Sequence, residues 1–340
     1  MKKVLVAMSG GVDSTVTAYL LQRQGYAVEG VYMQLHDNPA YHEKNIVNVK
    51  KVADYLGIKY HILDLGERFS EAVFMPFVET YKAGQTPNPC VLCNRNIKLG
   101  ALLDFAGEKG FDLLATGHYA RITDGFITEA VDKSKDQSYF LANVRKEALQ
   151  RVIFPLGERY KSDIKQIAAE IPVLASIAKQ KESSEICFVE ESYLDILKEH
   201  TETEIPGDVV DEAGDVIGRH RGYMHYTIGQ RRGFTLNVAH EPHYVLSIDA
   251  AQNRIVVGKR EALDVMRFEV EDLNMFIEDK KFEAFVKIRY RSPKTPCFVT
   301  IEAGKAVVEL PASLQGVAPG QTAVFYEGER VLGSGWISES

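Results

Sequence analysis

Six residues near the start of the chain, Ser9-Gly10-Gly11-Val12-Asp13-Ser14, constrain its fold more than any others. The apolar run Lys3-Val4-Leu5-Val6-Ala7-Met8 precedes them and reads as a buried first strand. Thr15-Val16-Thr17-Ala18-Tyr19-Leu20-Leu21 follows and reads as a helix stopped at Gly25. A strand, a Gly-rich turn and a helix start together make an anion site. Backbone N–H groups point outward, the helix dipole is positive there, and glycine lets a phosphate approach the backbone. No Lys follows the glycines, so the loop is not of the Walker type. A Gly-rich turn with a Ser/Asp helix cap is the plainer reading. Asp13 and Ser14, placed directly after a first strand, favour the phosphate loop.

Over the first 115 or so residues, strand and helix patterns alternate. Residues 28–33 and 60–65 read as second and third buried strands, and residues 112–116 as a fourth that enters Gly117-His118-Tyr119. Helical spacing covers residues 43–56, 67–83 (with a break expected at Pro76) and 94–109. Such alternation predicts an α/β domain with a doubly wound parallel sheet. Ligands of that architecture sit at the carboxyl ends of strands where the winding direction switches, so the loops after the first and fourth strands are expected to share a cleft. Residues 135–140 begin a helical stretch, and residues 163–170 and 192–200 read as helices. From about residue 205 the chain is Gly-rich with short extended runs, and beyond Gly258 alternating runs separated by turns predict a small all-β barrel. The expected organisation is a catalytic domain over residues 1–200, a small central domain over 201–260 and a C-terminal barrel over 261–340.

With 340 residues, 45% hydrophobic and 26% charged, the composition is that of an ordinary globular protein. No apolar run approaches the roughly 18 residues of a membrane span, and no signal-peptide pattern opens the chain; a cytoplasmic protein without a membrane partner is expected. Its net charge of −7 argues against a broadly basic nucleic-acid binder but not against a local basic face. Four cysteines, Cys90, Cys93, Cys187 and Cys297, are too few for a disulfide scaffold. Cys90 and Cys93 form half a zinc site without a second pair, so no metal site is expected. Cys297 reads as a small hydrophobe in an alternating strand.

Cys93 closes the loop Thr86-Pro87-Asn88-Pro89-Cys90-Val91-Leu92-Cys93-Asn94, which two prolines stiffen. It is expected at or near a helix N-terminus, accessible, with Arg95 and Lys98 following. Such a setting lowers a thiol's pKa and makes a nucleophile. Cys187 lies in the polar stretch Glu182-Ser183-Ser184-Glu185-Ile186-Cys187-Phe188, just before a helix. A cysteine can carry an extra sulfur as a persulfide, and a thiolate can attack a sulfur–sulfur bond. Together with an oxygen activated at the phosphate loop, that pair of reactions gives replacement of oxygen by sulfur.

The loop resembles the SGGxDS pyrophosphate loop of enzymes that split ATP to AMP and pyrophosphate. The ordered set of motifs is more specific. Thr86–Asn94, Thr116-Gly117-His118-Tyr119-Ala120-Arg121, Lys135-Asp136-Gln137-Ser138-Tyr139-Phe140-Leu141, Ile186-Cys187-Phe188, Tyr226-Thr227-Ile228-Gly229-Gln230-Arg231 and Lys287-Ile288-Arg289-Tyr290-Arg291 follow one another as in bacterial tRNA 2-thiouridylases. On these residues the chain resembles that family from its first strand to its last domain.

The resemblance implies that Ala7, Met8, Ser9, Gly10, Gly11, Val12, Asp13 and Ser14 bind ATP, with Met33 and Gly117 near the adenosine and Mg2+ accompanying the nucleotide. It implies adenylation of the 2-oxygen of the wobble uridine of tRNA. Cys187 would carry sulfur as a persulfide. Cys93 would act as nucleophile, cleaving the persulfide bond and leaving a Cys93–Cys187 disulfide, or releasing hydrosulfide first. Asn88, Pro89 and Cys90 would lie against the target base, Lys135, Asp136 and Gln137 on tRNA with His118 nearby, and Arg289, Tyr290 and Gln321 on the anticodon arm. A sulfur-donor protein is an implied partner. In two places the chain departs from the family's pattern. Cys90 stands where some relatives have Asp, which puts a second thiol three residues from the nucleophile. The stretch from His36 to His42 is short and lacks cysteine. Two competing functions, a pyrophosphate-loop ligase or amidotransferase on a small molecule and a non-catalytic nucleotide-dependent RNA-binding module, leave Cys93 and Cys187 without a role.

Overall fold

The computed structural model describes residues 1–177, 186–189, 192–237 and 241–339. The expected motif residues 182–185 lie outside the described residues. Two compact units result, the first formed by Met1–Val73, Cys90–Ser183 and Gly328–Leu332, the second by Phe74–Pro89, Ser184–Glu327 and Gly333–Ser340.

In the first unit the strands are β1 (Lys3–Ala7), β2 (Ala27–Gln34), β3 (Tyr60–Asp64), β4 (Leu113–Ala115), β5 (Ala120–Thr123), β6 (Phe126–Glu129) and β7 (Val152–Ile153). Five of them form a parallel sheet in the order β3-β2-β1-β4-β7. β1 is central because it is apolar on both faces: Val4, Leu5 and Val6 are wholly buried. The winding runs from β1 out through β2 to β3, then restarts at β4 on the other side of β1. The switch point therefore lies between β1 and β4, the two strands expected to flank the cleft. Helix α1 (Val12–Arg23) follows β1 and packs Val16, Ala18, Leu20 and Leu21 into the same core as Val4 and Val6. It starts at Val12, three residues before the expected start. Helix α2 (Pro39–Leu56) starts earlier than the apolar spacing suggests, because Asn38 caps it by accepting from Tyr41 N and Pro39 suits a first helical position. Gly57, at φ +64°, ends it as expected.

The predicted helix over 94–109 is not one regular helix. Asn94–Ala101 winds in wide π-type turns, with Leu99 at φ −109°, ψ 15°, before the regular helix Leu102–Glu108. Glycine permits this at position 100, where a Cβ would lie 2.8 Å from the Arg95 carbonyl oxygen. Around Pro76 the chain likewise widens at Ser70–Phe74 and resumes as the helix Met75–Lys82, with Pro76 in its first turn. The stretch beginning at Lys135 turns helical only at Ser138–Leu141.

In the second unit a five-stranded sheet runs in the order Thr235–Leu236, Val216–His220, Gly207–Val210, Arg254–Gly258, Tyr244–Asp249. Val265–Met275, Lys305–Leu314, Thr295–Glu302, Lys281–Lys287, Thr322–Glu327 and Arg330–Glu339 form six antiparallel strands. They close into a barrel because the first also pairs with the last, as Glu271 with Trp336. The expected central domain and C-terminal barrel are thus present. Cys297 is buried in the barrel, and burial pushes its thiol up to about 12, as suits a small hydrophobe. Among the described residues no helix is long and apolar enough to cross a membrane.

Candidate functional site

The loop after β1 is built by its own side chains. Ser14 Oγ donates to Gly11 O at 3.1 Å and accepts from Ser9 N at 3.2 Å. Thr15 Oγ1 also reaches Gly11 O, at 2.9 Å. Gly10 adopts φ +79° and abuts α2, so that a Cβ there would meet Asn45 O at 3.0 Å and Asn48 Cβ at 3.1 Å. Only glycine meets both demands cheaply. Gly117, after β4, rests on the start of α1: a Cβ on it would lie 3.3 Å from both Asp13 C and Ser14 N. The structure therefore brings Gly117 to residues 9–14, as the switch-point argument required. Met33 lies at the end of β2, next to β1.

Asp13 holds a second layer that the sequence pattern does not reveal. Lys161 Nζ lies 2.7 and 2.8 Å from its two carboxylate oxygens, and Tyr119 OH donates to Oδ1 at 3.0 Å. The same ammonium sits 5.5 Å from the centre of the Tyr119 ring. Lys161 opens the helix Lys161–Ala169, and its backbone N donates to Asp132, whose carboxyl this bond draws down. Helical spacing in the sequence begins only at Asp163, two residues too late to include the lysine.

A chain of hydrogen bonds runs from this loop to the cysteine segment. Tyr119 N donates to Gln137 Oε1 at 3.0 Å, and Gln137 N donates to Tyr119 O at 2.7 Å. The short helix Ser138–Leu141 follows, and the buried Asn94 donates from Nδ2 to Phe140 O at 2.9 Å. Asn94 is the neighbour of Cys93. The Cys93 setting differs from expectation. The helix begins at Pro89, so Cys93 closes its first turn instead of opening it, and the side chain is buried at 4% exposure. The helix-start argument for an accessible thiolate therefore does not apply to Cys93. Cys90, three residues earlier, is half-buried.

Cys187 is exposed. Its neighbours Ile186 and Phe188 pack onto the apolar cluster of Phe77, Val78, Tyr81, Leu197 and Met224 in the second unit. Phe188 meets Phe77 edge-on at 5.3 Å, and Val189 N closes the turn onto Ile186 O. The alternation in–out–in holds the thiol outward on an anchored turn.

The remaining candidates divide. The Asp136 carboxylate is buried and accepts from Ala130 N, Ser138 N and Ser138 Oγ. Burial raises its pKa against the pull of those bonds. It builds the 130–138 turn and does not face outward, whereas Lys135 beside it is partly exposed. His118 is buried, bonds through Nδ1 to Thr116 Oγ1 at 2.7 Å, and is held neutral because burial pushes its pKa well down. In the second unit Gln321 Nε2 donates to Thr86 O and Pro87 O, and Asn88 is buried with Nδ2 3.4 Å from Thr322 Oγ1. These two fasten the proline-rich loop to the barrel. Arg289 donates to Ile228 O, and with Thr227, Gln230, Arg260 and Gln315 it lines a cavity of about 440 Å³ whose charged lining is basic. Tyr290 next to it is partly exposed, with Lys287 Nζ 5.7 Å from its ring centre.

Comparison with known proteins matches this layout. A model described as "tRNA methyl transferase HUP domain" covers residues 2–191, one described as "tRNA methyl transferase PRC-barrel domain" residues 194–259, and one described as "Aminomethyltransferase beta-barrel domain" residues 265–337. The chain is 58% identical over 336 residues to the tRNA-specific 2-thiouridylase MnmA of a Nitratiruptor species, covering 99% of each. It belongs to the tRNA-specific 2-thiouridylase family. Members from Campylobacter curvus (59% identical over 337 residues, 98% of this chain and 99% of that one) and Sulfurimonas denitrificans (54% over 339 residues, 100% and 99%) are similar over the same length. Family membership agrees with the sequence reading, in which Cys93, Cys187 and the loop after β1 together signalled sulfur transfer.

Proposed function

We propose that this chain is an ATP-dependent tRNA-uridine 2-sulfurtransferase acting in the cytoplasm. ATP binds at the loop after β1, and the 2-oxygen of the wobble uridine attacks the α-phosphate, releasing pyrophosphate. Adenylation converts a poor leaving group into AMP. The N–H groups at the start of α1 face the polyphosphate, and Lys161 adds positive charge beside Asp13. Asp13, with both oxygens taken by Lys161, is no ready magnesium cage. Among the described residues no group of three or more His, Cys, Asp or Glu is arranged to hold a metal. Mg2+ would accompany the nucleotide and supply further positive charge at the loop.

Sulfur arrives on Cys187 as a persulfide from a donor protein. An exposed thiol on an anchored turn suits loading by a second protein. The terminal sulfur replaces AMP at C2 of uridine, and the Cys93 thiolate takes the remaining sulfur of Cys187 into a disulfide. Two cysteines so differently set, one buried and one presented, carry this reading above a small-molecule ligase, which needs neither. Lys135, Arg289 and Tyr290 are the proposed tRNA contacts, with Asn88, Pro89, Cys90 and Gln321 shaping the loop that meets the target base and His118, Asp136 and Gln137 ordering the chain beside Lys135. Basic and aromatic groups suit phosphate and unstacked bases. The test is mass spectrometry of anticodon nucleosides from cells with and without the gene. Loss of 2-thiouridine, restored by the wild type but not by Cys93→Ser or Cys187→Ser, is expected; unchanged 2-thiouridine refutes the assignment.

A further inference from the structure

We infer that Cys90 is the resolving thiol of the cycle, moving the product disulfide from Cys93–Cys187 onto a Cys90–Cys93 pair that an external dithiol then reduces. The inference rests on the sulfurtransferase reading above. Each turnover there leaves a disulfide on Cys93, whose side chain is 4% exposed. A protein dithiol can attack the exposed Cys187 sulfur, but that leaves Cys187 capped in a mixed disulfide. Only attack on Cys93 Sγ expels Cys187 free for reloading, and an outside protein reaches little of Cys93.

Cys90 and Cys93 occupy one turn, Pro89–Cys93, three residues apart. Helical geometry puts Cα atoms at that spacing about 5 Å apart, inside the range of about 4.4–6.8 Å that disulfides use. Bridging them needs only a local adjustment of the first turn. Cys90 is half-buried where Cys93 is buried. No other thiol of the chain fits this role. Cys297 is buried in the barrel with its thiol pushed up to about 12, and Cys187 is itself in the disulfide to be resolved.

The exchange balances without an oxidant. Cys90 loses its proton, and its thiolate attacks Cys93 Sγ. The Cys90–Cys93 bond forms as the Cys93–Cys187 bond breaks. Cys187 leaves with the electron pair, takes up a proton and is ready for another sulfur. An external dithiol of the thioredoxin type then reduces Cys90–Cys93 and is oxidised to its own disulfide.

The experiment compares the full-length wild type with Cys90→Ser, each loaded with persulfide and given ATP and tRNA, with an excess of a protein-borne cysteine persulfide as sulfur donor added for the multiple-turnover arm. The reading is the ratio of the multiple-turnover rate, with a thioredoxin-type dithiol, to the single-turnover rate of the same protein. That ratio is expected to fall at least about tenfold in Cys90→Ser and to recover when a small dithiol that enters buried sites replaces the protein dithiol. Peptide mass spectrometry without reduction is expected to find the Cys90–Cys93 bond in the wild type and Cys93–Cys187 accumulating in the variant. An unchanged ratio, or a wild type with no Cys90–Cys93 bond after turnover, overturns the role of Cys90 alone. Absence of a first turnover in the wild type overturns the sulfurtransferase reading and this inference with it.

Discussion

Replacing Lys161 with Met tests whether the Asp13–Lys161 pair serves the reaction or only the fold. Nζ lies 2.7 and 2.8 Å from the two Asp13 oxygens, and the two side chains are 13% and 33% exposed. An exposed ion pair contributes about 0.2–1 kcal/mol, while stripping one partner from a fully buried pair costs about 3–5 kcal/mol. Asp13 keeps the Tyr119 hydroxyl at 3.0 Å and some solvent, so the loss belongs between these limits, about 1–2 kcal/mol. In a chain with two compact units this appears as a shift in the first unit's transition, not as one global melting change. At about 2–4 °C per kcal/mol, a drop of roughly 2–8 °C is expected. The catalytic loss is larger, because a charge missing beside the reacting phosphate costs about 10²–10³-fold in rate. Loss of tRNA-dependent pyrophosphate release measures it, and thermal unfolding by circular dichroism measures the rest. Lys161→Arg keeps the charge and recovers part of the rate. Lys161→Met with the lowered transition but wild-type pyrophosphate release would refute the argument and leave Lys161 a structural pin.

Gly10→Ala is expected to destabilise the first unit by about 2 kcal/mol, since a left-handed residue costs about 1–2 kcal/mol and the new Cβ meets Asn45 O at 3.0 Å; an unchanged urea midpoint contradicts this. Asp13→Ala is expected to abolish AMP formation, and undiminished AMP counts against the loop assignment. His118 is buried neutral with its pKa well below 6.5, so the unfolded chain binds the extra proton first. Stability is therefore full above pH 6.5 and falls as pH drops below it, by at most about 1.4 kcal/mol per pH unit for this group. His118→Asn should flatten that slope between pH 6.5 and 5, with the residual slope carried by His220 and His225, whose values burial also lowers; an identical slope in the variant refutes the assignment. Gln321→Ala is expected to free the Thr86-Pro87 carbonyls, seen as faster amide exchange in residues 86–93 and a raised KM for tRNA, with ATP binding unmoved.

What the sequence made legible follows from locality. β1, the turn at Gly10 and the start of α1 are adjacent in the chain, and continuous burial plus glycine leaves few alternatives for them. The barrel's alternating runs are similarly local. Lys161 was not legible, because its partner lies 148 residues away and a lysine at a helix start is ordinarily solvated. The wide turns of Asn94–Ala101 were missed because their cause, Gly100 against the Arg95 carbonyl, acts through backbone geometry that helical periodicity does not record. The burial of Cys93 was missed for the same reason: a helix starting at Pro89 and not at Asn94 moves the thiol from the mouth of the turn to its inside.

Asp136 and Gln321 carry the more general point. The family resemblance points both to tRNA, yet each spends hydrogen bonds on its own chain, Asp136 on the 130–138 turn and Gln321 on the Thr86-Pro87 carbonyls. A motif records that a position matters to a site, and a residue that shapes a loop matters as much as one that touches the substrate. Burial and partners separate the two. Lys135 and Tyr290 are partly exposed. Asp136 is not, and its substitution should reach tRNA through the geometry of Gln137 and Tyr119, and so through Asp13. An Asp136→Asn enzyme is therefore expected to lose pyrophosphate release as well as tRNA affinity, whereas Lys135→Ala loses affinity alone and shows a shallower salt dependence of binding.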